Sequence, residues 1–538
     1  MPQSTENLQQ PGVCRESAAA SSFDKLKLAG QHFNAHLWLV VFAVIGVALV
    51  LLYQDAEQQD SAYHFLFARW AGQHPVYFVS VWARPLFTLV YFLPAQLGYP
   101  AAKLFTVLIS LATGWQTFQL AKRLGFRHST LAVPLLFLQP AFFTLSSVVM
   151  TETLFALLFA VALRFHLSGR IKSGMLVASS LILVRPEGFF IGVLWGIWIL
   201  SGAISSGENL KSQFSNLNSA YRLKAILRAC QQTLLLASGM VVWWLAAYWL
   251  TGDRLWIIHN WPSDWQAGGQ ANGTGPIWWY VLQLPLIAGV PLIVPFLVGL
   301  WKLIKRREFL CGTSAFLTLF VLHSMMFAGG WFGSAGYARY FVCVSPVTAL
   351  ITLAGWNHLV DRCESRSVCY LRSISASALL LSALTCFVYV DAVRFTRDAW
   401  GIEAMHAWLS SYHSELFKPG SRQISRLICS QAYARILLDR DPWEKPSFTA
   451  NRNDNLELLR QSPAGTLVLW DDETGPKWHR LRAEDFEAVG YERLKSQNFK
   501  LEGRFVRLKW NRIGGPRIQR MHWFYKSSDK LSAVIQQP

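Results

Sequence analysis

Apolar runs broken by short polar intervals set the pattern of this chain. Residues 37 to 53 (LWLVVFAVIGVALVLLY) hold no charge, and further apolar stretches lie at about 99–120, 129–145, 149–167, 174–186, 188–203, 230–250, 277–300, 309–328, 338–355 and 374–391. Runs of this length bounded by charge or turn residues predict eleven membrane crossings. The stretches 174–186 and 188–203 are short, and Arg185-Pro186-Glu187-Gly188 between them reads either as a turn at the membrane face or as a break inside one bent element. The first run follows Lys25 and Lys27, exceeds a signal-peptide core and lacks a small-x-small cleavage site, so it is expected to stay as a helix.

Two regions depart from that pattern. Residues 54–98 form a long first loop with a helical spacing of Ala62, Phe65, Leu66, Arg69 and Trp70, followed by an apolar piece, 85–97, too short to span. Both are expected to be helices lying along the outer membrane surface. From about 392 the chain turns polar, with a helical stretch at 396–416 and strand-like pieces at Gly465–Trp470 and Arg504–Trp510, which predicts a small α/β domain over 392–538. Residues 1–36 read as a polar cytoplasmic tail, and no internal repeat is visible.

Composition agrees with this architecture. Of 538 residues 52% are hydrophobic, with 24 Trp and 35 Phe, too apolar and aromatic for an ordinary soluble protein. The formal net charge of +18 comes from short Lys/Arg clusters between apolar runs and not from one basic face, so no nucleic-acid partner is expected. Those clusters mark one side instead: Lys122, Arg123 and Arg127; Arg164, Arg170 and Lys172; Lys211, Arg222, Lys224 and Arg228; Lys302, Lys305, Arg306 and Arg307; Arg362, Arg366 and Arg372. The opposite short loops carry little beyond Arg69, Arg84, Arg185 and Arg254, which predicts a cytoplasmic N-terminus and an extracytoplasmic C-terminal domain. Eight cysteines without zinc-ligand spacing imply neither a metal cluster nor a disulfide framework.

That sidedness sorts the acids. Asp55, Glu57, Asp60, Glu152, Glu187, Asp253 and Asp264 come out near the outer face, whereas Glu208, Glu308, Asp361 and Glu364 sit in basic loops. Glu152 opens a span, where an ionised group costs about 3 kcal/mol or more unless it meets a polar cavity or a partner. A helix-dipole charge capped by Thr151 is the competing reading. Arg185 and Arg339 are the matching cations and suit a phosphate, since the guanidinium fork binds its oxygens and stays charged. Each would equally serve as an ion pair to Glu187 or Glu152, or snorkel to headgroups. Asp60 shares a helical register with Tyr63 and His64, as a general base on a surface helix would. The stretch Trp261–Gly275 suits sugar stacking but suits an interfacial anchor better, its Asn272-Gly-Thr274 sequon has little weight, and Asp471-Asp-Glu473 reads as a solvated strand end without a His partner.

A first span, Asp60-Ser-Ala-Tyr63, Trp82-Ala-Arg-Pro-Leu86, Thr151-Glu-Thr153, Arg185-Pro-Glu-Gly188 and Ala338-Arg-Tyr340 in this order resemble the membrane-embedded GT-C glycosyltransferases, nearest to the bacterial branch of protein mannosyltransferases and aminoarabinose transferases. The resemblance covers roughly 37–391 and rests on short motifs whose order and sidedness carry it. It implies a polytopic α-helical enzyme of the bacterial inner membrane. That enzyme would move a hexose or pentose from a polyprenyl-phosphate donor to a lipid, glycan or protein acceptor, with inversion. Carried over, Asp60 is the base and Glu152 orients the acceptor or supports the base. Arg185 and Arg339 hold the lipid phosphate, and Glu187, Tyr340, Arg84, Tyr63 and His64 complete the substrate-binding set. Many relatives have paired acids where Ser61 follows Asp60 here, so a divalent metal has no support from ligand spacing, and Asp55 stands as the rival base. A transporter or flippase of a lipid-linked saccharide and a non-catalytic assembly subunit are the competing functions. The gathering of ionisable residues at one face favours chemistry over passage.

Overall fold

A computed structural model describes residues 22–52, 59–213, 219–262, 273–363, 368–396 and 425–527, apart from 431, 438, 442–447, 450, 473 and 502–516. Among the described residues seven helical segments are long and apolar enough to cross a membrane: His32–Leu52, Tyr99–Arg123, Glu187–Ile204, Ile226–Thr251, Leu310–Gly329, Ala338–Arg362 and Ser373–Val390. They make the chain an integral membrane protein. The other four expected crossings are present as shorter or broken elements, and proline accounts for much of the difference. In 129–145 the helices α5 (Ala132–Phe137) and α6 (Pro140–Leu145) are separated at Gln139, whose extended backbone is what a residue preceding proline prefers. In 277–300, Pro285, Pro291 and Pro295 leave four pieces, Trp279–Leu282, Leu284–Ala288, Val290–Leu292 and Ile293–Arg306. The stretch 149–167 becomes α7 (Thr151–Leu167), and 174–186 becomes α8 (Ile171–Ser179) with a 3-10 turn over Ser180–Leu183.

Burial separates the bundle's centre from its rim. The window in Ala338–Arg362 is 89% buried, whereas those in Ile226–Thr251 and Ser373–Val390 are 17% buried and present apolar side chains such as Leu245, Trp249, Leu380 and Leu384 outward. The central helix meets Ile293–Arg306 through Gly299 and Gly355, where a Cβ would overlap the opposing backbone, so small residues let the two helices touch. Arg185-Pro186 is a turn rather than a bend within one helix. The backbone at Gly188, opening α9 (Glu187–Gln213), comes so close to Leu181 and Ile182 that only glycine fits.

The first loop forms two helices as expected, α2 (Gln59–Trp70) and α3 (Pro85–Gln96), which pack beside α1 (Ser22–Leu52) and α4 (Tyr99–Arg123). Beyond the last span a four-stranded sheet runs in the order β1 (Arg426–Cys429), β2 (Thr466–Asp471), β4 (Arg517–Tyr525), β3 (Glu492–Leu501), with β1 and β2 parallel and the other pairs antiparallel. β2 matches the expected strand at Gly465–Trp470 and is buried along its whole length. The predicted helix 396–416 and strand Arg504–Trp510 fall mainly or wholly outside the described residues. The acid run at 471 differs from expectation: Asp471 is buried, and Asp472 has a histidine partner after all, His522, at 2.9 Å.

This C-terminal unit sits on the first loop. The helix Ala432–Leu437 packs on α2, His74 Nε2 meets Asp441 Oδ2 at 2.5 Å, and Arg69 Nη2 lies 3.5 Å from Asp439. The helix that carries Asp60 is therefore held between the membrane bundle and the sheet.

Candidate functional site

Four separate elements deliver the predicted charges to one place. α2 brings Asp60 in its first turn, and α7 brings Glu152 in its first turn, where a carboxylate also complements the helix dipole. The turn leading into α9 and that helix's first residue bring Arg185 and Glu187, and the 3-10 segment Ala338–Val344 brings Arg339 and Tyr340. The side chains form an alternating chain of charge. Asp60 Oδ2 lies 2.5 Å from Arg339 Nη2, Arg339 Nε 3.7 Å from Glu152 Oε1, Glu152 Oε1 2.8 Å from Arg185 Nη1, and Arg185 Nη2 2.7 Å from Glu187 Oε1. Arg185 Nε donates a second bond to Glu187, at 3.2 Å, and Nη1 donates to the Thr151 hydroxyl at 2.9 Å.

Exposure grades along this chain. Glu152 is wholly buried and Glu187 nearly so, whereas the Asp60 side chain is 44% exposed, at the open end. Isolated carboxylates at the buried end would be very unfavourable, and the guanidiniums are what make them tolerable. Both readings of Glu152 thus hold in part: it begins a helix and it has cationic partners. Its cap is not Thr151, which is already inside the helix and turns its hydroxyl to the Glu152 carboxylate at 3.2 Å; Met150 takes the cap position.

Burial pushes the Asp60 carboxyl up, but Arg339, by attraction and by its hydrogen bond, more than offsets this and the net position is below the ordinary carboxylate range. His64, one turn on in α2, is 6% exposed and stacks on Trp82 at 4.8 Å; burial pulls its imidazole down to about 3, so it is neutral beside Asp60. Tyr63 lies edge-on to Trp82 at 5.7 Å, and Ser61 shares a 2.5 Å hydrogen bond with the Tyr99 hydroxyl. Arg84 caps α3 with a left-handed φ of 69°, a strained conformation for arginine, and donates to Val81 O at 2.7 Å. Burial and then repulsion from Arg185 hold its guanidinium below its ordinary value, which marks it as a neighbour of the cluster.

Of the acids expected near that face, Asp253 does not join. It binds His259 at 2.9 Å and accepts from the Leu255 amide, and so tightens a surface turn. Asp55, Glu57 and Asp264 lie outside the described residues.

Sequence reasoning passed over several residues that the fold brings in. His323, on the helix Leu310–Gly329, stacks on Tyr340 at 4.8 Å with its Nε2 3.6 Å from Glu187. The Arg185 guanidinium sits 5.6 Å from the Tyr340 ring, and Arg339 lies over Tyr337 at 4.6 Å. Lys103, in the second turn of the apolar span Tyr99–Arg123, is wholly buried with its ammonium 5.4 Å from the Tyr99 ring. An ionisable side chain inside a long apolar run was the available signal for Lys103 and His323. Among the described residues no group of three or more His, Cys, Asp or Glu is arranged to hold a metal ion.

Two guanidiniums flanked by carboxylates, one of them reachable from solvent, can bind an oxyanion and accept a proton in the same place. No family model matches the sequence, and no curated protein matches it. Solved structures do. The fold is similar to that of ArnT from Cupriavidus metallidurans in two crystal structures. The one bound to undecaprenyl phosphate matches with a TM-score of 0.54 and 10% identity over 90% of this chain and 98% of that one. The apo one matches with a TM-score of 0.56 and 11% identity over 91% and 98%. At such identities the likeness is one of architecture: this chain has an ArnT-like membrane fold over nine-tenths of its length, as the GT-C resemblance implied.

Proposed function

We propose that the chain is a lipid-linked glycosyltransferase of the GT-C type, which moves a sugar from a polyprenyl-phosphate donor to an acceptor hydroxyl at the membrane face where α2 and the sheet lie. The observation that carries this reading is the continuous chain Asp60–Arg339–Glu152–Arg185–Glu187, which sets a reachable carboxylate against two cations. A fold like that of ArnT, whose structure has been solved with undecaprenyl phosphate, supports a polyprenyl-phosphate donor.

In this mechanism the acceptor oxygen attacks the anomeric carbon and a C–O bond forms. The bond from that carbon to the phosphate oxygen breaks, and its electron pair leaves on the phosphate. Arg339 and Arg185 stabilise the growing negative charge, and Asp60 takes the hydroxyl proton. Glu152, wholly buried between the two arginines, fixes their spacing. A single displacement inverts the anomeric centre. The acceptor is met on the outer side of the membrane in this reading, with the N-terminus cytoplasmic.

The test is turnover of undecaprenyl-phosphate sugars by detergent-purified protein, comparing wild type with Asp60→Asn, Asp55→Asn and Glu152→Gln. Loss of about 100-fold or more in Asp60→Asn is expected for a general base. Turnover equal to wild type in that variant, with loss in Asp55→Asn, transfers the role to Asp55; equal turnover in all three sinks the mechanism.

A further inference from the structure

One group of buried polar atoms has no use in the mechanism above. His323 Nδ1 and Nε2, the Tyr280 hydroxyl and the Ser334 hydroxyl have no hydrogen-bond partner, although the three residues are 2%, 0% and 4% exposed. Buried polar groups are almost always paired, so unpaired ones gathered together need an explanation. They come from three elements: Tyr280 from the helix Trp279–Leu282, His323 from Leu310–Gly329, and Ser334 from the turn that follows Trp331–Gly333. The Tyr280 ring lies 6.1 Å from that of His323, and its hydroxyl feels Ser334, Glu187 and Arg339 electrostatically without forming a hydrogen bond of good geometry. The group is one ring away from the phosphate-suited end, because His323 stacks on Tyr340 and the Arg185 guanidinium lies 5.6 Å from that same ring.

The surrounding scaffold fixes where these atoms lie. Gly336, at a φ of 67°, leaves no room for a Cβ against Trp279 and Phe327, and Trp279 Nε1 donates to Gly336 O at 2.8 Å. The loop carrying Ser334 is thereby pinned to the helix carrying Tyr280. Two hydroxyls and an imidazole can each donate and accept, as a sugar hydroxyl can. The nearest charges, Arg185 and Glu187, already satisfy each other through two hydrogen bonds, so the group suits uncharged hydroxyls better than a second phosphate.

We propose that Tyr280, His323 and Ser334 form a subsite that binds the ring hydroxyls of the transferred sugar, next to the arginines that take the phosphate. This rests on the glycosyltransferase reading and adds where the glycosyl unit sits. The test is native mass spectrometry of the full chain in lipid nanodiscs, with undecaprenyl phosphate alone and with mannosyl, glucosyl and galactosyl phosphoundecaprenol as probes. The wild type should bind at least one glycoside more tightly than the bare carrier. Tyr280→Phe, Ser334→Ala and His323→Gln should each lose about five- to tenfold in affinity for that glycoside and keep the affinity for the bare carrier. Tyr280→Phe removes a single oxygen, so it remains informative if His323→Gln does not fold, which thermal unfolding reports. Arg339→Gln should weaken both probes. If the variants weaken both probes equally, or neither, or if no glycoside binds better than the carrier, the atoms hold water or serve packing and the subsite is wrong. Failure of the wild type to bind any of these lipids overturns the glycosyltransferase reading itself and the subsite with it.

Discussion

Arg185 joins two carboxylates that are nearly sealed from solvent, and this makes its removal costlier than the removal of either acid. In Arg185→Gln, Glu152 and Glu187, with side chains 0% and 9% exposed, lose their shared cation. Breaking a buried pair by deleting one partner costs about 3–5 kcal/mol, and this variant falls in that range because Glu187 is left without a guanidinium while Glu152 keeps only Arg339, at 3.7 Å. Glu152→Gln is different, because each arginine keeps another acid: Arg185 retains both bonds to Glu187 and Arg339 retains Asp60. Its cost should be about 1.5–3 kcal/mol, the size of one hydrogen bond to a charged group, here the one that the Thr151 hydroxyl donates to Glu152 Oε2. The double variant removes a positive and a negative charge together, so its destabilisation should fall short of the sum by at least about 1.5 kcal/mol. Unfolding in mixed detergent micelles, followed by tryptophan fluorescence, measures all three variants against wild type. Additivity to within about 0.5 kcal/mol, or equal costs for the two single variants, would mean that the chain of charge is not coupled as its distances indicate.

Asp60 sits below the ordinary carboxylate range, so it stays ionised above its unfolded value and is lost as base only as pH falls through the lower folded value. Transfer activity should therefore show no acidic limb above about pH 4, and Arg339→Gln, which removes the strongest attraction opposing burial, should move that limb upward; a wild-type limb near 6.5 refutes the assignment. Because Asp60 is half open to solvent, Asp60→Asn should cost under about 1 kcal/mol of stability in the same micelle assay while abolishing turnover. Asp441→Asn removes the partner of His74 and should loosen the sheet from the first loop, seen as faster proteolysis of the C-terminal unit with the membrane half intact; an unchanged cleavage rate would show that other contacts hold it. Lys526, 5% exposed, donates to the carbonyls of Leu459, Arg460 and Ser462 at the end of the helix Arg452–Gln461, so Lys526→Met should lower the stability of that unit by about 1–3 kcal/mol in thermal unfolding.

Much of the membrane architecture was legible because hydrocarbon imposes a simple rule: long uncharged runs must be helices. The short helices of the first loop and the strand at 466–471 followed from period and propensity. Proline-broken stretches such as 129–145 and 277–300 were less legible, since hydropathy averages over a window and does not register a change of backbone direction within it. In the site, Asp60, Glu152, Arg185 and Arg339 stood out as charges at the edges of apolar runs, and the fold brings them together. Tyr280, Ser334 and Tyr337 did not, because aromatic and hydroxyl residues are common at membrane interfaces and acquire meaning only from what they face. The partnership of His522 and Asp472 was hidden for a related reason: the two residues meet through sheet pairing across 50 positions of sequence.

The alternating chain of acids and arginines has one more consequence. In the proposed mechanism Arg339 and Arg185 meet the donor phosphate already occupied by carboxylates, so it would enter by exchange, trading places with an acid of the protein in the manner of a resin bead. In that mechanism the same trade would let go of Asp60 as the donor phosphate arrives, so that the carboxylate would come free only when there is a hydroxyl for it to deprotonate.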